Sequence, residues 1–343
     1  MNNSLQTIRQ KRIAVFKSNK RGYYSAWIFL FLFIFTLFSE FIANDKPLLV
    51  SYKSEFYTPI FYEYSEVDFG GEFESEADYK DEYVQELILE DGYIIWPLIR
   101  YSYDTIKTDS ELSFPSAPDG ANLLGTDDQG RDVFSRLMYG FRISVLFGLT
   151  LTIFSSIIGV IVGATQGYYG GKVDLLGQRF IEIWGGLPTL FLLLILVNYI
   201  QPTFWWLLGL LLLFSWTSLV GVVRAEFLRA RNFEYVKAAR ALGQSDKNII
   251  IKHILPNALI STMTFMPFIL TGSITTLTSL DFLGFGLPAG SPSLGELLAQ
   301  GKANLHAPWL GISAFVVLSM LLTLLIFVGE AFRDALDPRI AQK

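Results

Sequence analysis

Few residue types in this chain could support chemistry. Its 343 residues include no cysteine and only two histidines, His253 and His306. Disulfides, thiolate catalysis and Cys-ligated metals are therefore excluded, and little is left for histidine-based acid–base or metal chemistry. No Gly-x-x-x-x-Gly-Lys-Ser/Thr run occurs, so this chain has no phosphate loop for ATP. Gly284 and Gly286, in Phe-Leu-Gly-Phe-Gly, lack the strand-to-helix context of a dinucleotide site. Glu182, Asp281 and Glu330 lie near the ends of apolar runs, where an interfacial position or an ion pair is expected rather than a proton relay. No catalytic or metal-binding residue is expected, and no substrate-binding residue can be named.

The most distinctive segment is a polar loop, Arg224–Pro256. Its core, Glu234 to Leu242, consists mostly of good helix formers. Tyr235, Ala238, Ala239 and Leu242 fall at helical spacing and form one small apolar stripe, flanked by Arg229, Arg231, Lys237 and Arg240. Gly243 suits the position after a helix end, where a positive φ is needed. Ser245 or Asp246 can cap a second helix, expected to run through Ile249–Leu255 until Pro256 interrupts it. Such an element docks non-covalently, with the alanines permitting close approach to a partner's cleft. A basic helix lying on a membrane has similar patterning, so the pattern alone does not name the partner. His253 is expected to make a packing or polar contact there.

The elements that carry this loop are apolar. Hydrophobic residues make up 51% of the chain and charged ones 17%, with a mean hydropathy of +0.39. That is membrane-protein composition, and the 29 Phe, 16 Tyr and 7 Trp suit lipid-facing surfaces and interfacial belts. A bilayer core needs roughly 20 apolar residues as helix. Such runs occur at about Ala26–Ala43, Ile143–Thr165, Phe180–Ile200, Phe204–Val223, Ala258–Ser279 and Trp309–Phe332. The first follows a basic stretch, as a signal peptide would. Phe41, however, stands where cleavage before Asn44 would want a small residue, so a retained anchor is expected. The Gln201-Pro202-Thr203 turn would make a hairpin of the third and fourth runs, and Gly159, Gly163 and Ala164 permit close helix approach.

The expected fold is thus an all-α polytopic membrane protein with six transmembrane helices. If the N-terminus is cytoplasmic, segments 1–25, 166–179, 224–256 and 333–343 lie inside and carry about 18 of the 27 Lys and Arg residues. The short outside segments 201–203 and 280–308 carry one, Lys302, so the positive-inside rule places both termini in the cytoplasm. The expected organisation is a basic N-terminus (1–25), a first helix (26–43), an extracytoplasmic acidic insert (44–141), a five-helix core (142–333) containing loop 224–256, and a C-terminus (334–343). The insert carries Glu63, Glu66, Asp68, Glu72, Glu74, Glu76, Asp78, Asp81, Glu82 and Glu86. It is also rich in Tyr and Phe, so a small folded unit is expected rather than disorder. Its acidity would favour cationic ligands or a basic partner, or simply provide a solvated face.

A resemblance adds to these readings. Ala238-Ala239, then Gly243, then His253-Ile254-Leu255-Pro256 is similar to the EAA signature of ABC importer permeases, although Lys237 replaces the leading glutamate and His253 an isoleucine. Gly125-Thr126-Asp127, Gly130 to Arg136, Gly140 to Ser144, Gly167 to Gly171, Phe282 to Gly286 and Pro292 to Glu296 resemble the oligopeptide and dipeptide permeases of the C type, over about 120–338. Arg21 to Tyr24, Ile42 to Leu49 and Asp68 to Gly71 resemble the Yej-type branch.

The resemblance implies a MetI-like permease fold and a non-catalytic subunit importing peptides, including the peptide–nucleotide antibiotic microcin C. It implies a Gram-negative inner membrane, a homologous second permease, a periplasmic substrate-binding protein, and a cytosolic ATPase subunit that binds ATP and Mg. Lipid is a partner and nucleic acid is not. Glu234, Lys237, Ala238, Ala239, Arg240, Gly243, His253, Leu255 and Pro256 would form the loop seated in the ATPase cleft. Two other readings compete. A secondary transporter would want repeats with broken helices and midplane charges, and none is evident. A membrane enzyme would want a Ser/His/Asp or metal cluster, and none stands out.

Overall fold

A computed structural model describes residues 8–107, 113–197, 199–200 and 202–336. The chain enters through α1 (Ile8–Ser18) and α2 (Lys20–Leu37), joined at Asn19, whose side chain accepts the Gly22 N–H at 3.2 Å. A short α3 (Ser39–Ile42) leads into the insert. There, antiparallel strands β1 (Leu49–Tyr52), β2 (Glu55–Tyr57) and β3 (Gly92–Ile95) form a sheet in the order β2-β1-β3, with Val50 opposite Tyr57 on one side and Ile94 on the other. Helix α4 (Glu82–Glu90) packs Val84 and Ile88 against that sheet.

The insert's core is aromatic. Phe69 is fully buried, and the rings of Tyr52, Tyr57, Tyr64 and Tyr79 surround it edge-on with centroids 5.1–6.3 Å away. Edge-to-face pairing suits ring quadrupoles and adds to the hydrophobic gain. Nine of the ten carboxylates in segment 63–86 are exposed and Glu66 is half-buried, so acid faces solvent while tyrosine and phenylalanine fill the core.

Helix α5 (Val133–Tyr169) follows, begun by Asp132, which accepts the Ser135 N–H at 2.7 Å. Its helical backbone thus starts before the apolar run at Ile143. Helix α6 (Gly171–Gly185) and α7 (Thr189–Val197) occupy the third apolar run. A single helix over Phe180–Ile200 is not what forms. Gly185-Gly186 offers no side chain to hold the turn, and Pro188 lacks the N–H that would continue it. Gln201 of the hairpin turn lies outside the described residues, as do residues 1–7 and 337–343 of the two termini; Thr203 caps α8 by accepting the Trp206 N–H at 3.2 Å.

Helices α8 (Phe204–Ser215) and α9 (Thr217–Ala230) run nearly continuously through Trp216. After α10 (Glu234–Ala241) come α11 (Asp246–Asn248), a π-helical stretch (Ile249–Ile254), α12 (Leu255–Met263), α13 (Met266–Phe282), α14 (Leu294–Ala303) and α15 (Pro308–Leu336). Among the described residues, three helical stretches are by themselves long and apolar enough to cross a membrane: Val133–Tyr169, Phe204–Ala230 and Pro308–Leu336. A fourth is added if the pair Asp246–Met263 and Met266–Phe282, bent by 53°, counts as one span. Helix α2 is apolar from Ala26 onward, but Lys20 and Arg21 occupy its first turn.

The core is organised on α5. Glycines 159, 163 and 167 form one stripe on its surface, against which α9 lies. A Cβ at these positions would come within 2.7, 2.8 and 2.6 Å of the carbonyl oxygens of Trp216, Val220 and Arg224. Only hydrogen fits there, and the four-residue step repeats on both helices, as in close small-residue packing between membrane helices. On another side, Phe141 and Val145 of α5 meet Leu270 and Ile274 of α13 and Leu321 and Leu325 of α15, with Phe29 and Phe33 of α2 packed against the group.

A buried ion cluster clasps the start of α5 to α14. Arg131 reaches Asp127 at 2.7 Å and Glu296 at 3.1 Å, while Arg136 reaches Glu296 at 2.6 Å and Asp127 at 3.4 Å. Arg136 also donates to the carbonyl oxygens of Tyr103 (3.0 Å) and Ser291 (2.9 Å), drawing the end of the insert and the loop before α14 into the same knot. Arg136 and Asp127 are fully buried, and two positive and two negative charges balance. Burial there pushes the neighbouring Asp132 carboxyl above its usual range.

Two outcomes follow from this packing. Gly163→Val should lower the melting midpoint in detergent, because overpacking costs about 1–3 kcal/mol, while Gly209→Ala, which meets open space, should not. Asp127→Ala leaves a buried guanidinium short of its partner and should cost about 3–5 kcal/mol, read as an equally clear drop in that midpoint.

Candidate functional site

Loop 224–256 folds as a compact unit on the end of the α5–α9 pair. Helix α10 has Glu234 in its first turn and Arg240 in its last, the charge order its dipole favours. Val236 and Ala239 point inward, into a cluster with Tyr168 of α5, Val223 and Phe227 of α9, and Ile249 and Ile254 beyond. Tyr235, Ala238 and Leu242 point outward, with Leu242 82% exposed. The apolar stripe expected from spacing therefore divides. Ala239 belongs to the scaffold, because the body of the protein lies on its side of the helix, and only Tyr235, Ala238 and Leu242 remain available to a partner. Lys237 is exposed and pairs with Glu234 at 2.9 Å.

The turn after α10 is set by its hydrogen bonds. The Gly243 N–H donates to the Arg240 carbonyl at 3.0 Å and the Gln244 N–H to the Ala239 carbonyl at 3.2 Å. This Schellman arrangement requires a left-handed residue between them, and Gly243 has φ +76°. Ser245 begins the next helix from an extended conformation without a side-chain cap. Pro256 does not end that helix. It sits in the first turn of α12, where a missing N–H is harmless, and the preceding six residues take wider π-helical turns. Leu255 is half-buried against the cluster and Pro256 is exposed. His253 makes a polar contact, its Nε2 lying 2.8 Å from Gln244 Oε1.

Side chains from three other elements hold the unit. The Tyr168 hydroxyl donates to Asp246 at 2.6 Å, and Arg240 donates to the same hydroxyl at 3.3 Å. Arg231 donates to the Gly167 and Tyr168 carbonyls at 3.5 and 3.3 Å, satisfying oxygens that the end of α5 leaves unpaired. Arg224 forms a two-pronged ion pair with Asp174 of α6, whose carboxyl the guanidinium holds below its usual range. Of these groups, only the arginines at 224, 231 and 240 stand out in the sequence, as loop basicity. Tyr168, Asp174 and Asp246 give no local signal, because their roles arise across sequence separations of 50 or more. Beside α10 lies a groove of about 580 Å³ lined by residues including Arg229, Phe233, Tyr235, Asn257 and Arg333.

Of the remaining candidates, Asp281 and Glu182 have structural partners. Asp281 has no ion-pair partner among the described residues; it accepts from the Ser293 hydroxyl at 2.5 Å and the Leu287 N–H at 2.7 Å, closing the loop between α13 and α14. Glu182 pairs with Arg179 at 2.5 Å on an exposed face. Glu330 and His306 are exposed. Among the described residues, no group of three or more His, Asp or Glu is placed to hold a metal ion.

Comparison with known proteins gives this arrangement a context. Residues 140–342 match the family described as binding-protein-dependent transport system inner membrane component. The chain is 60% identical over 337 residues to the inner membrane ABC transporter permease protein YejE of Escherichia coli, covering 98% of this chain and 99% of that protein. It is 56% identical to the peptidoglycan transport system permease protein YejE of Agrobacterium fabrum (96% and 93% covered) and 35% identical to the oligopeptide transport system permease protein OppC of Lactococcus lactis (65% and 77%). Among solved structures, the inward-facing MetNI methionine ABC transporter matches with a TM-score of 0.50 at 18% identity, covering 59% of this chain and 97% of that one. This last likeness shows the fold, which is MetI-like as expected from the resemblance. Nothing in these comparisons supports a secondary transporter. The chain belongs to the binding-protein-dependent transport system inner membrane component family and is a permease subunit of the ABC type.

Proposed function

We propose that this chain is one of two membrane subunits of an ABC importer for peptides in a bacterial inner membrane, and that it contributes no catalytic group of its own. The observation that carries this reading is the α10 unit, a rigid helix–turn–helix with an exposed face of Tyr235, Ala238 and Leu242, fixed to the end of the longest helix. A separate ATPase would seat that face, bind ATP and Mg, and drive the switch between outward and inward access. Such a switch needs differential contacts in two states rather than covalent chemistry. The partners proposed are a homologous permease, a cytosolic ATPase and a periplasmic substrate-binding protein. Both termini would be cytoplasmic and the insert extracytoplasmic, with six crossings counting α2, the broken α6–α7 pair and the bent α12–α13 pair.

The substrate class is supported by the names of the relatives, which speak of oligopeptide, dipeptide and peptidoglycan transport. Peptide bonds are their common chemistry. Microcin C and peptide-bearing cell-wall fragments fit that class.

Deletion of the gene should abolish uptake of labelled short peptides and confer resistance to microcin C. Unchanged uptake and sensitivity would refute the peptide reading. An uncoupler applied while cellular ATP is maintained should leave uptake intact; a halt would favour an ion-coupled mechanism instead. The two sides of α10 should separate in mutants. Ala238→Asp or Leu242→Asp should abolish uptake and ATPase co-purification with membrane level and melting midpoint unchanged. Ala239→Leu should lower the midpoint itself, by an amount equivalent to about 1–3 kcal/mol, because it overpacks the buried side.

A further inference from the structure

The insert is acidic over its surface but basic in its cavity. Only five Lys and Arg residues occur between Asn44 and Gly125: Lys46, Lys53, Lys80, Arg100 and Lys107. Three of them, Lys80, Arg100 and Lys107, line one concavity of about 530 Å³ between the start of α4 and the segment after β3. That volume falls within the range of small-ligand sites. Its lining is mainly polar but includes Trp96, Leu98 and Tyr101, and among the described residues Glu82 is the one carboxylate in it.

The three cations are not equivalent. Lys107 is committed to Asp119 at 2.8 Å and to Asn122 at 3.2 Å, and Lys80 lies over the Tyr101 ring, 3.6 Å from its centroid. The Arg100 guanidinium lies over the Trp96 ring at 5.1 Å and has no carboxylate partner among the described residues. An aromatic face orients a guanidinium without neutralising it, so its planar donors remain available to a carboxylate in two-pronged geometry. The acidic exterior makes this arrangement specific. A ligand carrying only negative charge is repelled by the surrounding carboxylates, whereas one carrying both charges is not. Within the lining itself, Arg100 can take a carboxylate and Glu82 an ammonium, with Trp96 and Leu98 offering surface to what lies between.

We infer that this cavity binds the carboxylate end of a short zwitterionic peptide, with Arg100 as the carboxylate-reading residue. The inference rests on the peptide reading above and gives the insert a part in handling the substrate outside the membrane core.

Isothermal titration of the full chain in lipid nanodiscs tests it, with tri-alanine as the probe against tri-alanine amide. Tri-alanine should bind saturably and the amide at least tenfold more weakly, a comparison that needs no variant. Arg100→Gln should weaken tri-alanine binding at least tenfold and remove the preference for the free acid. Lys53→Gln, which removes a basic residue of the same insert outside the cavity, should leave both unchanged. Absence of saturable binding, equal affinity for acid and amide, or equal effects of the two substitutions would overturn the inference. Weaker capture of a purified substrate-binding protein by Arg100→Gln, without any peptide binding, would assign the cavity to that protein and overturn it as well. Peptide uptake by cells carrying the native gene separates the two failures: uptake retained with no acid preference sinks only this site, and uptake lost in no deletion strain sinks the importer reading.

Discussion

The close approach of α5 and α9 is the constraint on which the rest of the molecule depends. Three glycines at four-residue steps let one backbone lie against the other, and no larger residue fits opposite the carbonyls of Trp216, Val220 and Arg224. In lipid the hydrophobic effect does not drive helices together, so this kind of intimate contact supplies much of what holds them. It also sets the platform for α10. The cluster into which Val236 and Ala239 insert is built from Ala164 and Tyr168 of α5 and from Leu219, Val223 and Phe227 of α9. Separating the two helices would remove the floor beneath α10.

Helix α5 joins distant events. Its 37 residues extend about 55 Å at 1.5 Å per residue. At its C-terminal end, Arg231 caps the last carbonyls and Tyr168 holds Asp246, fixing the α10 unit. At its N-terminal end, Arg136 meets Glu296 and Asp127, fixing α14 and the end of the insert. A buried, balanced ion cluster is weak evidence for added stability but tolerates little displacement, because removing one partner leaves a charge uncompensated. The helix therefore connects the two ends as a stiff element, with polar contacts that define each end sharply.

Much of this was legible in the residues. Apolar runs located the helices of the core, and Gly243 announced a left-handed turn that the structure contains, because that conformation excludes most other side chains. Other readings failed where two neighbours compete. Spacing placed Ala239 on the same stripe as Ala238, but periodicity defines a face without saying which side meets the protein. Pro256 read as a stop, yet proline is tolerated in a first turn, and the π-helical stretch before it absorbs the mismatch. The third apolar run read as one helix because hydropathy averages over Gly185-Gly186 and Pro188, which break it.

Composition and pattern by themselves determined that this is a membrane protein without cysteine, that its loop at 224–256 is helical and basic, and that the segment after the first helix is acidic and aromatic. These properties are local, expressed in runs and short spacings. Only the tertiary structure decided that Arg131 and Arg136 share Asp127 and Glu296, that Arg231 serves the end of α5, and that three of the insert's five cations line one cavity. Those pairings join residues as many as 165 positions apart, as Arg131 and Glu296 are. A sequence records the charge of each partner, but the fold alone sets the distance between them, and electrostatic and hydrogen-bond energies depend on that distance.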